Sequence, residues 1–340
     1  MANAPIHYDE DADLSVLDDR TVAVIGYGNQ GRSQALNMRD SGVDVIVGNR
    51  SDDYRSAAED DGFDAYPIAE AAARGDVVFL LIPDEVAPEV FAEEVAPGMD
   101  AGDVLNVAHG YNLTYGFLDP PDDVDVTMVA PRMTGPAVRA LYEEGEGFPS
   151  IMAVEQDATG EAHAVALAIA KSIGSTRAGV VEGDADMETY TDLLTEQALL
   201  PIMINAMIAK FEVETAHGIP PEIVMTELYL SGEFAEVFRE MREHGFLGQL
   251  PSHSRTSQYG QLSRIGEVDR GPLRSFFEAQ LQGLDDGSFV REWSTEQELG
   301  RPGLARLYER YRDSEFIRAE QETMARLGIG TETDDEGDGD

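Results

Sequence analysis

Through the first half of the chain, short apolar runs alternate with stretches in which apolar positions recur every three to four residues. The runs at 22–26, 43–48, 77–82, 104–108, 126–130 and 151–154 have the length and β-branched content of buried strands. Between them, 30–40, 54–60 and 161–173 read as amphipathic helices. Strand and helix in alternation predict parallel strands with helices packed on the sheet. Beyond Gly183 the strand pattern stops, and helical periodicity continues over 188–216, 221–243, 273–283, 290–298 and 303–327. The expected organisation is an α/β domain over 1–182, an all-α domain over 183–330, and a disordered acidic tail over 331–340. No internal repeat is evident.

The first strand runs directly into Gly26-Tyr27-Gly28-Asn29-Gln30-Gly31, which opens a helix. In that context a Gly-x-Gly-x-x-Gly bend is a dinucleotide signature, and the first domain is expected to be of Rossmann type. Gly26 allows the tight turn, Gly28 lets the backbone approach a pyrophosphate, and Gly31 lets helix and strand pack closely. After the second strand, Asn49, Arg50 and Ser51 suit a ribose 2′-phosphate, whereas Asp52 and Asp53 suit a free 2′-hydroxyl. The expected cofactor is NADPH, with NADH possible.

Charge narrows the setting. The chain of 340 residues has 66 acidic and 24 basic residues, for a formal net charge of −42. Such a surface repels itself in dilute buffer and is screened in concentrated salt, which predicts a halophilic protein. The same charge disfavours nucleic acid as a partner. Cysteine is absent, so disulfide and thiol chemistry are excluded. No apolar stretch reads as a membrane span, and the N-terminus lacks the pattern of a signal peptide, so a cytoplasmic location is expected.

In the helical half, Asp192 and Glu196 lie four residues apart, on one face of a helix with apolar neighbours. Like charges at that spacing repel, and a cation with a preference for oxygen, such as Mg²⁺, would stabilise them. A chain this acidic also produces such pairs as solvated surface, and spacing alone does not separate the two. Glu227 and Ser254 are unremarkable in isolation.

Taken in order, these segments resemble the short form of ketol-acid reductoisomerase over nearly the whole chain. The likeness rests on residues 24–31, Pro83-Asp84-Glu85, Ala108-His109-Gly110-Tyr111, Val129-Ala130-Pro131-Arg132, Thr191-Asp192 through Glu196-Gln197, Pro221-Glu222 through Glu227, Ser254 through Gly260, and residues 286–293. The resemblance implies Mg²⁺-dependent alkyl migration in an acetohydroxy acid, then reduction by NAD(P)H, within valine and isoleucine biosynthesis. It implies Pro83 and Asp84 at the cofactor, and Asp192, Glu196 and Glu227 at the metal ions. His109, Arg132 and Glu227 become catalytic candidates, and Ser254 a holder of the substrate carboxylate. It further implies a knotted helical domain and a homodimer or larger homo-oligomer.

Two departures stand out. Arg132 replaces the family's lysine, and arginine does not readily exchange a proton. Ser231 stands where the family has a second glutamate four residues after Glu227. On an ideal helix Glu233, six residues on, points elsewhere unless Gly232 breaks the regularity. Isomerisation is therefore the half-reaction in question. A reductase acting on a branched 2-oxo acid such as ketopantoate is the alternative, and a non-catalytic NAD(P)H-binding redox sensor is a second.

Overall fold

The computed structural model describes residues 3–330, so the expected tail at 331–340 lies outside the described residues. The chain divides into two compact units between Asp192 and Leu193.

The first unit is built on one nine-stranded sheet: β1 (Ile6–His7), β2 (Thr21–Ile25), β3 (Asp44–Gly48), β4 (Ala65–Tyr66), β5 (Val77–Leu80), β6 (Val104–Val107), β7 (Asp125–Pro131), β8 (Ser150–Gln156) and β9 (Val180–Glu182). The spatial order is β1-β9-β8-β7-β6-β5-β2-β3-β4. From β4 through β7 all pairings are parallel, and the order reverses between β2 and β5. Strands β5, β6 and β7 are buried along their whole length, because helices cover both faces of the sheet. Two apolar clusters fill the two faces, one around Val22, Val24, Phe79 and Ile169, the other around Ile25, Leu80, Phe91 and Met128.

The sixth predicted strand departs from expectation. β8 pairs with β7 antiparallel, not parallel. The helix Gly135–Glu143 between them packs against the helix Asn29–Asp40. The chain then turns back through Gly145 and Gly147, both at positive φ. A run of apolar residues does not encode direction, so the pattern could not distinguish the two. The short strands β1, β4 and β9 carry too few residues to give a periodic signal.

The second unit is helical. Its buried cluster, Phe211, Val224, Met225, Leu228, Phe316 and Ala319, joins the helices Leu200–Ala216, Pro221–Met225 and Glu315–Leu327. Several long expected helices are interrupted. The 188–216 stretch is observed as Ala185–Leu194, a π turn over Thr195–Leu199, and Leu200–Ala216. The 221–243 stretch breaks at Gly232, whose φ of +79° ends a second π turn, Thr226–Leu230, before Glu233–Gly248 begins. The 303–327 stretch divides where Ser314 caps the last helix. A helix at Arg255–Ile265 has no counterpart in the expectation.

The run Ala185–Ala216 is long and apolar enough, by composition, to cross a membrane, with a mean hydropathy of 1.2 over 18 residues. That differs from the expectation that no stretch reaches this length. The run nevertheless carries Glu188, Asp192, Glu196, Lys210, Glu212 and Glu214, side chains costly to place in hydrocarbon.

Candidate active site

The glycine bend follows β2 at the reversal of strand order, where open α/β sheets place their crevice. Gly26 sits at φ +97°, and a Cβ there would come within 2.5 Å of the Leu81 carbonyl oxygen. A Cβ on Gly31 would lie 1.9 Å from the Gly26 carbonyl oxygen, so the helix can approach the strand only with glycine there. On Gly28 a Cβ would meet no atom within 4 Å. The helix Asn29–Asp40 starts from Gly28 with no side-chain cap and no acidic residue in its first turn, leaving its N–H groups available to an anion. A cavity of about 380 Å³ opens beside it, lined by Gly28, Asn29 and Gln30 of the bend and by Pro83, Asp84 and His109 of the next two strand ends.

Tyr27 joins the bend through its backbone: its N–H donates to Asn49 Oδ1 at 3.2 Å. Its ring is buried, and its hydroxyl donates to Asp61 at 2.9 Å. Burial, reinforced by the Asp61 carboxylate, pushes the phenol above its ordinary pKa. The Asp52 carboxylate accepts from Asn49 Nδ2 and Arg50 Nε, each at 2.7 Å, and from the Arg55 N–H at 3.2 Å, capping the helix Asp53–Asp60. Burial alone would raise the Asp52 carboxyl, but these hydrogen bonds outweigh it and hold it below the usual carboxylate range. Arg50 and Ser51 are exposed at this rim.

A polar network stands at the mouth of the cavity. Asp84 Oδ2 lies 2.7 Å from His109 Nδ1, and Asn112 Nδ2 donates to the other Asp84 oxygen at 3.2 Å. The far side of the imidazole, Nε2, is 3.7 Å from Asp192 Oδ2. Arg132, just past β7, donates to Glu188 Oε1 at 2.5 Å and pairs with Asp192 Oδ1. Glu188 and Asp192 stand one turn apart on the helix Ala185–Leu194, and the guanidinium between them offsets their mutual repulsion. Glu188 is fully buried and also accepts the Gly110 N–H at 2.8 Å. A Cβ on Gly110 would lie 2.6 Å from the Ala185 carbonyl oxygen, so this glycine is what allows the His109 loop to meet the helix. Tyr111, buried beside Asp84, has its phenol pushed up to about 12, chiefly by burial, and so remains a neutral group.

Two family models span the chain: "Acetohydroxy acid isomeroreductase, NADPH-binding domain" matches residues 16–179 and "Ketol-acid reductoisomerase, C-terminal domain" matches residues 186–327. A ketol-acid reductoisomerase (NADP(+)) of Haloarcula marismortui is 46% identical over 91% of this chain and 88% of its own length. This chain belongs to the ketol-acid reductoisomerase family. The Methanopyrus kandleri enzyme of the same name is 42% identical over 96% of this chain and 99% of its own. In structure, an NADH-preferring ketol-acid reductoisomerase from an uncultured archean superposes with a TM-score of 0.89 at 35% identity, covering 95% of this chain and 98% of that one. The chain is accordingly an NAD(P)H-dependent oxidoreductase of branched-chain amino acid biosynthesis.

Among the residues expected at the ketol-acid reductoisomerase site, Asp84, His109, Arg132 and Asp192 thus meet in one network of the first unit. Pro83 lines the cavity beside them, and Glu196, Glu227 and Ser254 belong to the second unit. Glu196 and Glu227 are exposed, each within a π turn, the helix irregularity that recurs at functional sites. Because Gly232 terminates that turn, Glu227 and Glu233 do not share one continuous helix, and the ideal-helix argument does not apply to them. Ser254 is the N-cap of Arg255–Ile265, its oxygen accepting the Ser257 N–H at 3.2 Å. Sequence reasoning passed over Glu188. Its signal was available: it precedes Asp192 by four residues, extending the acidic face by one turn.

Proposed function

We propose that the chain acts on 2-acetolactate and 2-aceto-2-hydroxybutyrate, isomerising each in the presence of Mg²⁺ and reducing the product with NADPH, with NADH as a usable substitute. The observation that carries this reading is the Asp84–His109–Asp192–Arg132–Glu188 network at the mouth of the glycine-bend cavity.

The residues fit both groups. The uncapped helix start and the open face of Gly28 suit a pyrophosphate, and Arg50 with Ser51 supports the 2′-phosphate of NADPH. Asp52 is engaged in capping and in pairing with Arg50, whose guanidinium stays exposed at the rim, as does the neighbouring Asp53. Asp192, Glu196 and Glu227 offer the hard oxygen donors that Mg²⁺ takes, with Arg132 sharing Asp192. When bound, the metal supplies Lewis acidity at the substrate oxygens and the nicotinamide supplies reducing equivalents.

The side chains do the rest. Asp84 fixes the ring of His109, whose Nε2 faces Asp192 and is placed to take or return a proton. Glu188 holds Arg132, which keeps a positive charge beside Asp192. The Ser254 oxygen accepts a backbone N–H, so its O–H is available to donate to a substrate carboxylate.

A second reading, reduction without isomerisation, is favoured by one observation: Arg132 is committed to two carboxylates and cannot readily transfer a proton. Supplying 2-acetolactate or 3-hydroxy-3-methyl-2-oxobutyrate separately, with Mg²⁺ and NADPH, distinguishes the two. Turnover of both supports the first reading; turnover of the oxo acid alone supports the second.

The large apolar side chains exposed on the second unit, among them Val213, Ile223, Tyr259 and Leu299, support homo-oligomerisation. The same association would account for the exposed apolar face of Ala185–Ala216 without a membrane, which supports a cytoplasmic location. The net charge of −42 supports operation in concentrated salt.

A further inference from the structure

At the β1 edge of the sheet, away from the glycine bend, two of the chain's six histidines converge on one carboxylate. His7 lies on β1 opposite Val180 of β9, so Glu182, two residues further along β9, is its diagonal neighbour on the same face. The helix Ala162–Ile173 brings His163 to the same place. Glu182 Oε2 is 2.7 Å from His7 Nε2 and 3.5 Å from His163 Nε2, and donor atoms of all three residues lie within 4.8 Å of one another. The two rings meet edge to face, with centroids 5.5 Å apart.

We propose that His7, His163 and Glu182 bind a divalent transition ion, Zn²⁺ in particular. A simple ion pair needs only one imidazole; here two share the same carboxylate oxygen. Two nitrogens and one oxygen are a donor set for Zn²⁺ or Cu²⁺ and a poor one for Mg²⁺. Tetrahedral zinc with bonds near 2.0–2.1 Å needs donors roughly 3.3 Å apart. The His163–Glu182 separation already meets that, and the His7–Glu182 contact has to open by only about 0.6 Å.

The surroundings leave room for a water ligand. A cavity of about 340 Å³ adjoins both imidazoles and is lined by Asp11 and Asp13. Asp11 accepts the Tyr8 N–H and Asp13 accepts the Ser15 N–H, so these carboxylates shape the local field more than they offer ligands. The ion would take one donor from β1, one from β9 and one from the helix. The N-terminal arm is also held by a two-residue strand, by Lys171, which donates to the carbonyls of Asp9 and Ala12, by Thr176, which donates to Asp9, and by the burial of Ala12 and Leu17. The site would therefore lock that arm to the sheet.

The test uses the full chain in molar KCl with excess Mg²⁺, adding one equivalent of Cu²⁺ as reporter and recording pulsed EPR. The expected spectrum shows two imidazole nitrogens and loses a nitrogen in His163→Gln and in His7→Gln. His109→Gln keeps both. Zn²⁺ alone should raise the melting temperature of the wild-type chain but not of His163→Gln, whose partly exposed position makes misfolding a minor concern. No nitrogen coupling, a two-nitrogen pattern unchanged in His163→Gln, loss of coupling in His109→Gln, or no rise in melting temperature with Zn²⁺ would each overturn the site.

Discussion

In the unit ending at Asp192, six large apolar side chains are exposed among the described residues; in the unit beginning at Leu193, 22 are. The first unit covers its sheet on both faces with its own helices, while the second has a small buried cluster around Phe211 and Phe316 and a surface dotted with leucine, phenylalanine and tyrosine. Apolar side chains thus serve two purposes. In the first unit apolar residues build a self-contained scaffold that aims a glycine bend and a polar network at one cavity. In the second many stay exposed, and under the proposed homo-oligomerisation subunit association would bury part of them and add to stability.

The comparison can be broken at several points. The largest effect is expected from Asp192→Asn, which should abolish Mg²⁺-dependent turnover while leaving NADPH binding intact, read by fluorescence titration and product formation; retained activity would remove Asp192 from the metal. Glu188→Gln should lower kcat by roughly 10- to 100-fold through loss of the contact that orients Arg132, with the NADPH dissociation constant unchanged. If cofactor binding fell in parallel, Glu188 would be a structural residue only. On the second unit, Val213→Glu, at a side chain 70% exposed, should shift the sedimentation profile toward smaller species and lower the melting temperature. Tyr54→Glu on the first, at 55% exposed, should change neither. Identical profiles for the two variants would contradict the contrast between the units.

The smallest expected effect is on pH dependence within the first unit. The Arg32 guanidinium, with the Tyr27 hydroxyl and Arg39, holds the Asp61 carboxyl below its ordinary value. A lowered carboxylate contributes stability above the unfolded pKa, near 4, and loses it as pH falls through the folded value. Asp61→Asn should therefore cost stability at neutral pH and cost less with acidification, in denaturant midpoints. A difference independent of pH would rule out the ion pair as its source.

The two units also differ in how far the sequence reveals them. Strands β2, β3, β5, β6 and β7 are legible because burial on both faces requires continuous apolar runs, which end at glycine and polar turns, and so are the helices Asn29–Asp40 and Asp53–Asp60, while the shorter ones at Ile68–Ala72, Ala87–Val90 and Tyr111–Thr114 are not. The direction of β8 is not, since direction leaves no mark in a single strand. In the helical unit the periodicity is real, but the interruptions at Thr195–Leu199 and Thr226–Leu230 are hidden, because a π turn shifts the phase of the apolar face without changing composition, whereas the break at Gly232 is marked by the glycine itself. Of the network at the cavity mouth, Asp84, His109, Arg132 and Asp192 can be named from motifs. Glu188 cannot be assigned that way: its partners, Arg132 and the Gly110 N–H, are 56 and 78 residues away and meet it only through the fold.

The central claim is that Arg132 and Asp192, in this arrangement, support rearrangement as well as reduction. The most direct measurement is the product formed from 2-acetolactate with Mg²⁺ and NADPH in concentrated salt, identified by chromatography and mass. The account predicts 2,3-dihydroxy-3-methylbutanoate with matching NADPH consumption. Unreacted 2-acetolactate, alongside ready reduction of 3-hydroxy-3-methyl-2-oxobutyrate by the same preparation, would contradict it.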